Sequence, residues 1–355
     1  MSHRCSLHCI VPPGMLERVA RHGDDDQRTL ALDTLSKDHS VRATRATNAL
    51  LLAGKPKRLD VLGRRPGGTA RRTIYDMETT EQETGKLGRG EGDEPTGDAA
   101  TDEAYDGLGS TYDFYWQVFQ RDSIDDQGLH LVGWVHYGRD YDNAFWDGQR
   151  MVFGDGDGQL FQRFTIALDV IGHELTHGVT EDEGPLDYLG QSGALNESIS
   201  DVFGSLIKQH ALRQTADQAD WLIGAGLLAD GVQGKALRSM AEPGTAFDDP
   251  VLGKDSQPAH MDDYVRTVDD NGGVHTNSGI PNRAFSLVAT KLGGNAWDRA
   301  GRIWYETLRD PTLTRASGFR RFARLTERVA GRLYGPDSDE GKAVADAWKQ
   351  VGVRL

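Results

Sequence analysis

Apolar positions divide the chain into a sparse leader, a strand-like stretch and a helical half. The first 50 or so residues hold one short apolar cluster, Cys9–Leu16, interrupted by Pro12, Pro13 and Gly14. A helix is expected from Leu16 to His22, and the spacing of apolar residues predicts another over residues 33–53. Breaker-rich segments follow at Gly54-Lys55-Pro56 and Gly63–Gly68, so the leader ends and the body begins between 48 and 72. Residues 73–168 read as β-rich, with strands expected at Arg72–Met77, Leu129–Tyr137 and Met151–Phe153 and a loop over the acidic, glycine-rich Gly85–Gly107. A helix with aromatic anchors is expected at Tyr112–Phe119. Beyond residue 165 helical periodicity dominates: Thr165–Val179, Asn196–Gln209, Ile280–Lys291, Ala300–Leu308, Phe319–Gly331 and Gly341–Val351. The reading divides the chain at 1–53, 54–168 and 169–355.

Charge sharpens this division. Residues 1–72 hold 14 Lys+Arg against 7 Asp+Glu, while the remainder holds 26 against 47, within a net −14. An acidic body argues against non-specific nucleic-acid binding, which needs a basic surface. A basic leader suits docking onto an acidic body; acidity that serves solubility alone is the other reading. No apolar run reaches the ~20 residues a membrane span needs. The N-terminal stretch lacks the continuous apolar core of a secretory signal, so the chain is expected either to stay in the cell or to leave by another route. The two cysteines, Cys5 and Cys9, both lie in the leader; packing or metals must stabilise the body without disulfides.

The chemistry concentrates at His173-Glu174-Leu175-Thr176-His177. Histidines four apart share one helix face, so both imidazoles reach one ion. Glu174 between them is placed to take a proton from a water the metal activates. Zinc suits the arrangement, since it tolerates an open position and lowers the pKa of water to roughly 7. Taken alone, the pentapeptide also reads as two ordinary surface histidines. Glu197, twenty residues after His177, sits on the next expected helix, which could return it to the metal; the alternative for it and for Asp201 is a solvated helix face. Asp201, one turn further, is placed to hold the outer nitrogen of a ligand histidine.

With these residues in view, the sequence resembles the thermolysin family of zinc metallopeptidases. Asn143–Gly148, Met151–Gly158, Asp169–His177, Ser192–Glu197, Leu237–Met240 and Asp270–Gly279 match its motifs in order. The resemblance implies an α+β fold of two lobes, β-rich then mainly helical, with the active site in the cleft between them. It implies a zinc-dependent endopeptidase acting on polypeptides, with His173, His177 and Glu197 as ligands, Asp201 behind them and Glu174 as general base. His275 and Tyr188 match the donors to the oxyanion, and Asp270 the group that orients His275. Arg238 matches the arginine that binds a substrate carbonyl. Asn143 and the Ala144 backbone match the edge that aligns an extended peptide. Phe161, Val170 and Leu237 match the apolar pocket for the residue after the scissile bond. A zinc aminopeptidase and a latent, non-catalytic binding protein are the rivals. The first would need an acidic group for the substrate amine; the second would not need an intact Glu174, His275 and Tyr188.

The match has departures. The family's paired calcium site includes Asp169 and Asp220 as candidate ligands, but the shared glutamate is Lys208, and two more acidic positions are Leu222 and Ala225. The ammonium is expected to replace a cation beside Asp169, Asp201 or Asp220, which removes the paired site and leaves a single Ca2+ open. Val11–Leu16 is similar to the Pro-Pro-x-x-Leu element of the protealysin subgroup, with Gly14 where an aromatic residue is usual. That subgroup also lacks a conventional signal, although its resemblance implies secretion. It further implies that the leader is a propeptide that plugs the cleft, with cleavage expected near Ala49–Leu52. Two readings remain for His3, Cys5, His8 and Cys9: a thiolate at the open zinc position, or a reduced thiol pair with no ligand role.

Overall fold

The computed structural model describes residues 8–52, 68–82, 85–184 and 186–354, with the backbone alone described at His8 and over 42–52. His3, Cys5 and most of the breaker-rich stretch 54–68 lie outside these residues.

A six-stranded mixed sheet forms the N-terminal lobe. Its strands are β1 (His8–Cys9), β2 (Arg72–Asp76), β3 (Lys86–Gly90), β4 (Leu131–Val135), β5 (Ala144–Trp146) and β6 (Met151–Phe153), in the spatial order β1-β5-β6-β4-β2-β3. Strands β2, β4 and β6 run parallel; β3, β5 and β1 join antiparallel. The leader thus supplies one edge of the sheet, with His8 opposite Trp146 and Cys9 opposite Phe145. It continues as helices α1 (Pro13–His22) and α2 (Asp25–Leu52). Helix α1 starts at Pro13, where a missing N–H costs nothing. Helix α2 starts eight residues earlier than the apolar spacing suggests. Asp24 and Gln27 cap it reciprocally, Gln27 N–H donating to Asp24 Oδ1 at 2.9 Å and Asp24 N–H to Gln27 Oε1 at 3.0 Å.

The stretch Gly85–Gly107 is not a loop. Residues Lys86–Gly90 pair with β2 across a bulge between Ile74 and Tyr75. Helix α3 begins at Ala99 and runs to Phe119. Asp98 caps it, accepting from Thr101 N–H at 2.8 Å. Buried Arg89 pairs with Asp102 at 3.0 Å, so the acidic residues of this stretch fasten strand to helix.

Helices α4 (Leu168–Glu183) and α5 (Gly190–Leu212) carry the C-terminal lobe together with α6 (Gly279–Leu292), α7 (Arg302–Leu308), α8 (Phe319–Tyr334) and α9 (Asp339–Gln350). Each falls where apolar periodicity places it, with ends shifted by a few residues as caps and fraying dictate. The β-containing first lobe and helical second lobe match the expected α+β architecture.

Helix α4 is buried along its middle because α3, β5 and α5 surround it. Its crossing with α5 is unusually close. A methyl group at Gly204 would lie 2.4 Å from the carbonyl oxygen of Asp169, and one at Gly172 would lie 2.7 Å from Ile207 and 3.1 Å from the Gly204 Cα. Glycines on both sides let the two backbones meet. Gly204→Ala is expected to cost about 1–3 kcal/mol of unfolding free energy, the range for overpacking. Urea denaturation of the apoprotein checks the stability, and competition with a chelator shows a weakened zinc site in the same variant.

Candidate active site

The close crossing brings three side chains from two helices to one point. His173 and His177 are one turn apart on α4, and Glu197 faces them from α5; all three are buried. His173 Nε2 lies 3.0 Å from His177 Nε2 and 3.5 Å from Glu197 Oε2, and His177 Nε2 lies 3.6 Å from Glu197 Oε1. Among the described residues, this is the one group of three or more such side chains close enough to hold a metal.

The outer ring nitrogens decide what the inner ones can do. His173 Nδ1 meets Asp201 Oδ1 at 2.8 Å. His177 Nδ1 meets Asn196 Oδ1 at 2.8 Å and Ser200 Oγ at 3.0 Å. Carboxylate and amide oxygens accept, so both Nδ1 atoms carry the proton and both Nε2 atoms present lone pairs. Two lone pairs 3.0 Å apart, beside a carboxylate, call for a cation between them. Ligand atoms about 2.0–2.1 Å from a tetrahedral zinc stand about 3.3–3.4 Å apart, close to the spacings observed. The donor set therefore fits zinc.

Asp201 is the hub behind the metal. Besides His173 it accepts from Arg238 Nε at 2.9 Å and Nη2 at 2.8 Å, and from Asn282 Nδ2 at 2.8 Å. Burial raises its pKa, but Arg238 and His173 outweigh that and hold it at about 2. Asn196, Ser200 and Asn282 were not singled out by spacing. The run Asn196-Glu197-x-x-Ser200-Asp201 was the available signal, with polar residues on consecutive turns of a buried helix.

Glu174 is fully buried one residue after His173, and Trp146 N–H donates to its Oε2 at 3.1 Å. Across from the metal group stand Tyr188 and His275. Tyr188 Oη donates to Glu197 Oε1 and lies 3.2 Å from His275 Nε2. His275 is tied to Asp270 twice, through its backbone N–H at 2.9 Å and its Nδ1 at 2.7 Å. The intervening chain makes this possible: Asp270, Asn271, Gly272 and Gly273 all have positive φ, so the backbone doubles back on itself. Asp, Asn and Gly tolerate that region best. Burial lowers the His275 pKa, but Asp270 and Glu197 outweigh it and raise it to about 9.

The leader lies along this centre. Ile10 N–H donates to Ala144 O at 3.3 Å, and Val11 N–H donates to Asn143 Oδ1 at 3.0 Å. Asn143 Nδ2 donates to Val11 O at 3.4 Å, and Arg238 Nη1 to Ile10 O at 3.2 Å. Ile10 and Val11 are fully buried. Helix α2 adds Asp38, which accepts from Tyr141 Oη at 2.5 Å and Asn143 Nδ2 at 3.0 Å. Neither Tyr141 nor Asp38 stands out by sequence alone. Phe161, Val170 and Leu237 are buried in the cluster that also takes in Ile10.

Two open readings are narrowed. Cys9 is buried among Met77, Tyr137, Tyr141, Phe145 and Val152, so its thiol packs in a separate apolar cluster and is not one of the metal group. Lys208 does stand between carboxylates, but Asp201 is not among them: its Nζ donates to Asp169 Oδ2 at 2.7 Å, Asp220 Oδ1 at 2.8 Å and Leu222 O at 2.8 Å. Asp201 is already taken by Arg238 and His173.

The model of the thermolysin metallopeptidase catalytic domain matches residues 57–181, and that of the thermolysin metallopeptidase alpha-helical domain matches residues 184–353. The chain is 54% identical over 346 residues to an extracellular metalloprotease of Pectobacterium carotovorum subsp. carotovorum, spanning 98% of this chain and 96% of that protein. It is 48% identical over 352 residues to the protease PrtS of Photorhabdus sp. (strain Az29), spanning 98% and 92%. Among solved structures, the precursor of protealysin, a metalloproteinase from Serratia proteamaculans, superimposes with a TM-score of 0.88 at 55% identity, covering 98% of this chain and all of that one.

Replacing Asp201 by Asn removes the charge that balances Arg238 and orients His173. Zinc affinity is expected to fall about 10–100-fold, and stability by about 3–5 kcal/mol because Arg238 stays buried without its counter-charge. Chelator competition and denaturant titration of the apoprotein read the two effects separately.

Proposed function

The chain belongs to the thermolysin family of metallopeptidases, in its protealysin-like group, and from that premise we propose that this zinc metalloendopeptidase is made as a self-processing zymogen that cuts before bulky apolar residues. The observation that carries this reading is the leader's seat in the cleft. Strand β1 (His8–Cys9) pairs with β5, and the chain then bends at Ile10 and Val11 with the Ile10 carbonyl on Arg238 and Val11 on Asn143. We read the bond before the Ile10 position as the one presented to the metal group, because Arg238, which holds the Ile10 carbonyl, also holds Asp201 behind His173.

Residues 1–53 then act as propeptide and intramolecular inhibitor, 54–168 as the first catalytic lobe and 169–355 as the second. Substrates are extended polypeptides. Ala144 O and Asn143 align the chain, and Arg238 holds the carbonyl after the scissile bond. Phe161, Val170 and Leu237 receive the side chain of that residue.

His173, His177 and Glu197 would hold zinc, which when bound lowers the pKa of water and polarises a carbonyl. Glu174 takes the proton of the attacking water on a carboxylate oxygen and returns it to the leaving nitrogen. Trp146 N–H fixes the other geometry of that carboxylate through Oε2. Asp270 favours the protonated form of His275, which with Tyr188 donates to the oxygen that gains charge.

Lys208 replaces a divalent cation between Asp169 and Asp220, so calcium is not needed there. The named relative from Pectobacterium is extracellular, and we extend secretion to this chain. No helix among the described residues is long and apolar enough to cross a membrane. Cleavage near Ala49–Leu52 falls in the last turns of α2, which must unwind to enter a cleft that takes extended chain.

The mature enzyme is expected to cut a peptide blocked at both ends, before Leu or Ile, and to ignore a free-amine dipeptide. The reverse outcome in a chromatographic assay would make it an aminopeptidase. The alkaline limb of kcat/KM is expected to report loss of the His275 proton, which Asp270 holds through Nδ1. In Asp270→Asn the His275 pKa falls, protonated His275 is lost at lower pH, and the limb moves down; a pH–rate profile with an unmoved limb removes His275 from the mechanism.

A further inference from the structure

A cavity of about 280 Å³ separates the leader from the second lobe. Gly14 and Met15 border it on the leader side, Leu237, Phe247 and Leu252 form an apolar wall, and polar residues that include Lys254, Asp255 and His275 line the rest. The three wall residues are buried. The cavity is open with the leader in place, and Gly14, an exposed residue at its border, adds no side chain to it. Gly14 lies in the first turn of α1 with no positive φ, so the backbone does not require glycine there. Most residues are better helix formers than glycine, by about 1 kcal/mol at most.

The cavity also stands in register with the cleft. Ile10 occupies the place of the first residue after the scissile bond and Val11 that of the second; this assignment rests on the function proposed above. Pro12, which borders the cavity, occupies the place of the third. Along an extended chain, first and third residues face the same side. Leu237 belongs both to the pocket assigned to the first residue and to the cavity wall. The two spaces are therefore neighbours along one face of a bound peptide.

We propose that the Leu237–Phe247–Leu252 cavity is a substrate subsite for a large apolar side chain at the third position after the scissile bond, and that the leader leaves it unfilled. The leader thereby binds in substrate register without the full apolar contact that a good substrate gains. Preferred substrates carry apolar residues at the first and third positions after the cut, the pattern of a strand with one apolar face.

The test uses mature wild-type enzyme and blocked peptides that differ only at that third residue, Phe, Leu or Gly. We expect kcat/KM for Phe or Leu to exceed that for Gly by about tenfold, the scale of one filled apolar pocket. In Phe247→Ala the ratio falls towards one, whatever the absolute rates. Equal rates for the three peptides, or a ratio that survives Phe247→Ala, would overturn the proposal. If none of the three peptides is cut, the endopeptidase reading fails instead.

Discussion

Helices α4 and α5 meet backbone to backbone at Gly172 and Gly204, and the geometry of the metal group follows from that contact. Helical spacing puts His173 and His177 on one face of α4, but it cannot bring Glu197 to them. The crossing does, and it also sets Asn196, Ser200 and Asp201 against the outer nitrogens of the same histidines. Those acceptors settle the tautomers, and the tautomers turn two lone pairs inward. Metal affinity is thus a property of the helix pair rather than of three residues.

Charge is managed in the same place. Arg238 and Asp201 are both buried, and neither would be tolerated alone. Paired, they leave one guanidinium nitrogen to reach the Ile10 carbonyl, so the group that is bonded to Asp201 behind His173 also holds the leader. Lys208 does similar work one helical turn beyond Gly204, joining Asp169 on α4 to Asp220 and the carbonyl of Leu222. The ammonium satisfies a cluster of oxygens that would otherwise call for an ion.

Much of this was legible in the residues. The two-histidine turn, Glu197 and Asp201 are local patterns on helices with clear apolar periodicity, and the lobes follow the change from alternation to helical spacing. The start of α2 was missed because apolar spacing outweighed the Asp24–Gln27 cap. The stretch Gly85–Gly107 read as loop because its glycines and acids obscure a paired edge strand and the Asp98 cap. What could not be read is tertiary. The pairing of His8 with Trp146, the burial of Cys9 beside Tyr141 and the choice of Asp220 over Asp201 for Lys208 depend on which surfaces meet. The doubled-back run Asp270–Gly273 shows its composition in sequence, but its purpose appears only when His275 is seen on Asp270.

The central claim is that the leader sits as a substrate in a working metal site and is removed by that site. The most direct measurement follows intact mass and zinc content of the purified full-length chain and of its Glu174→Ala variant over a day. The account predicts that wild type loses the leader up to the end of α2 while the variant keeps both zinc and leader. A zinc-loaded variant that sheds its leader as fast as wild type would contradict it.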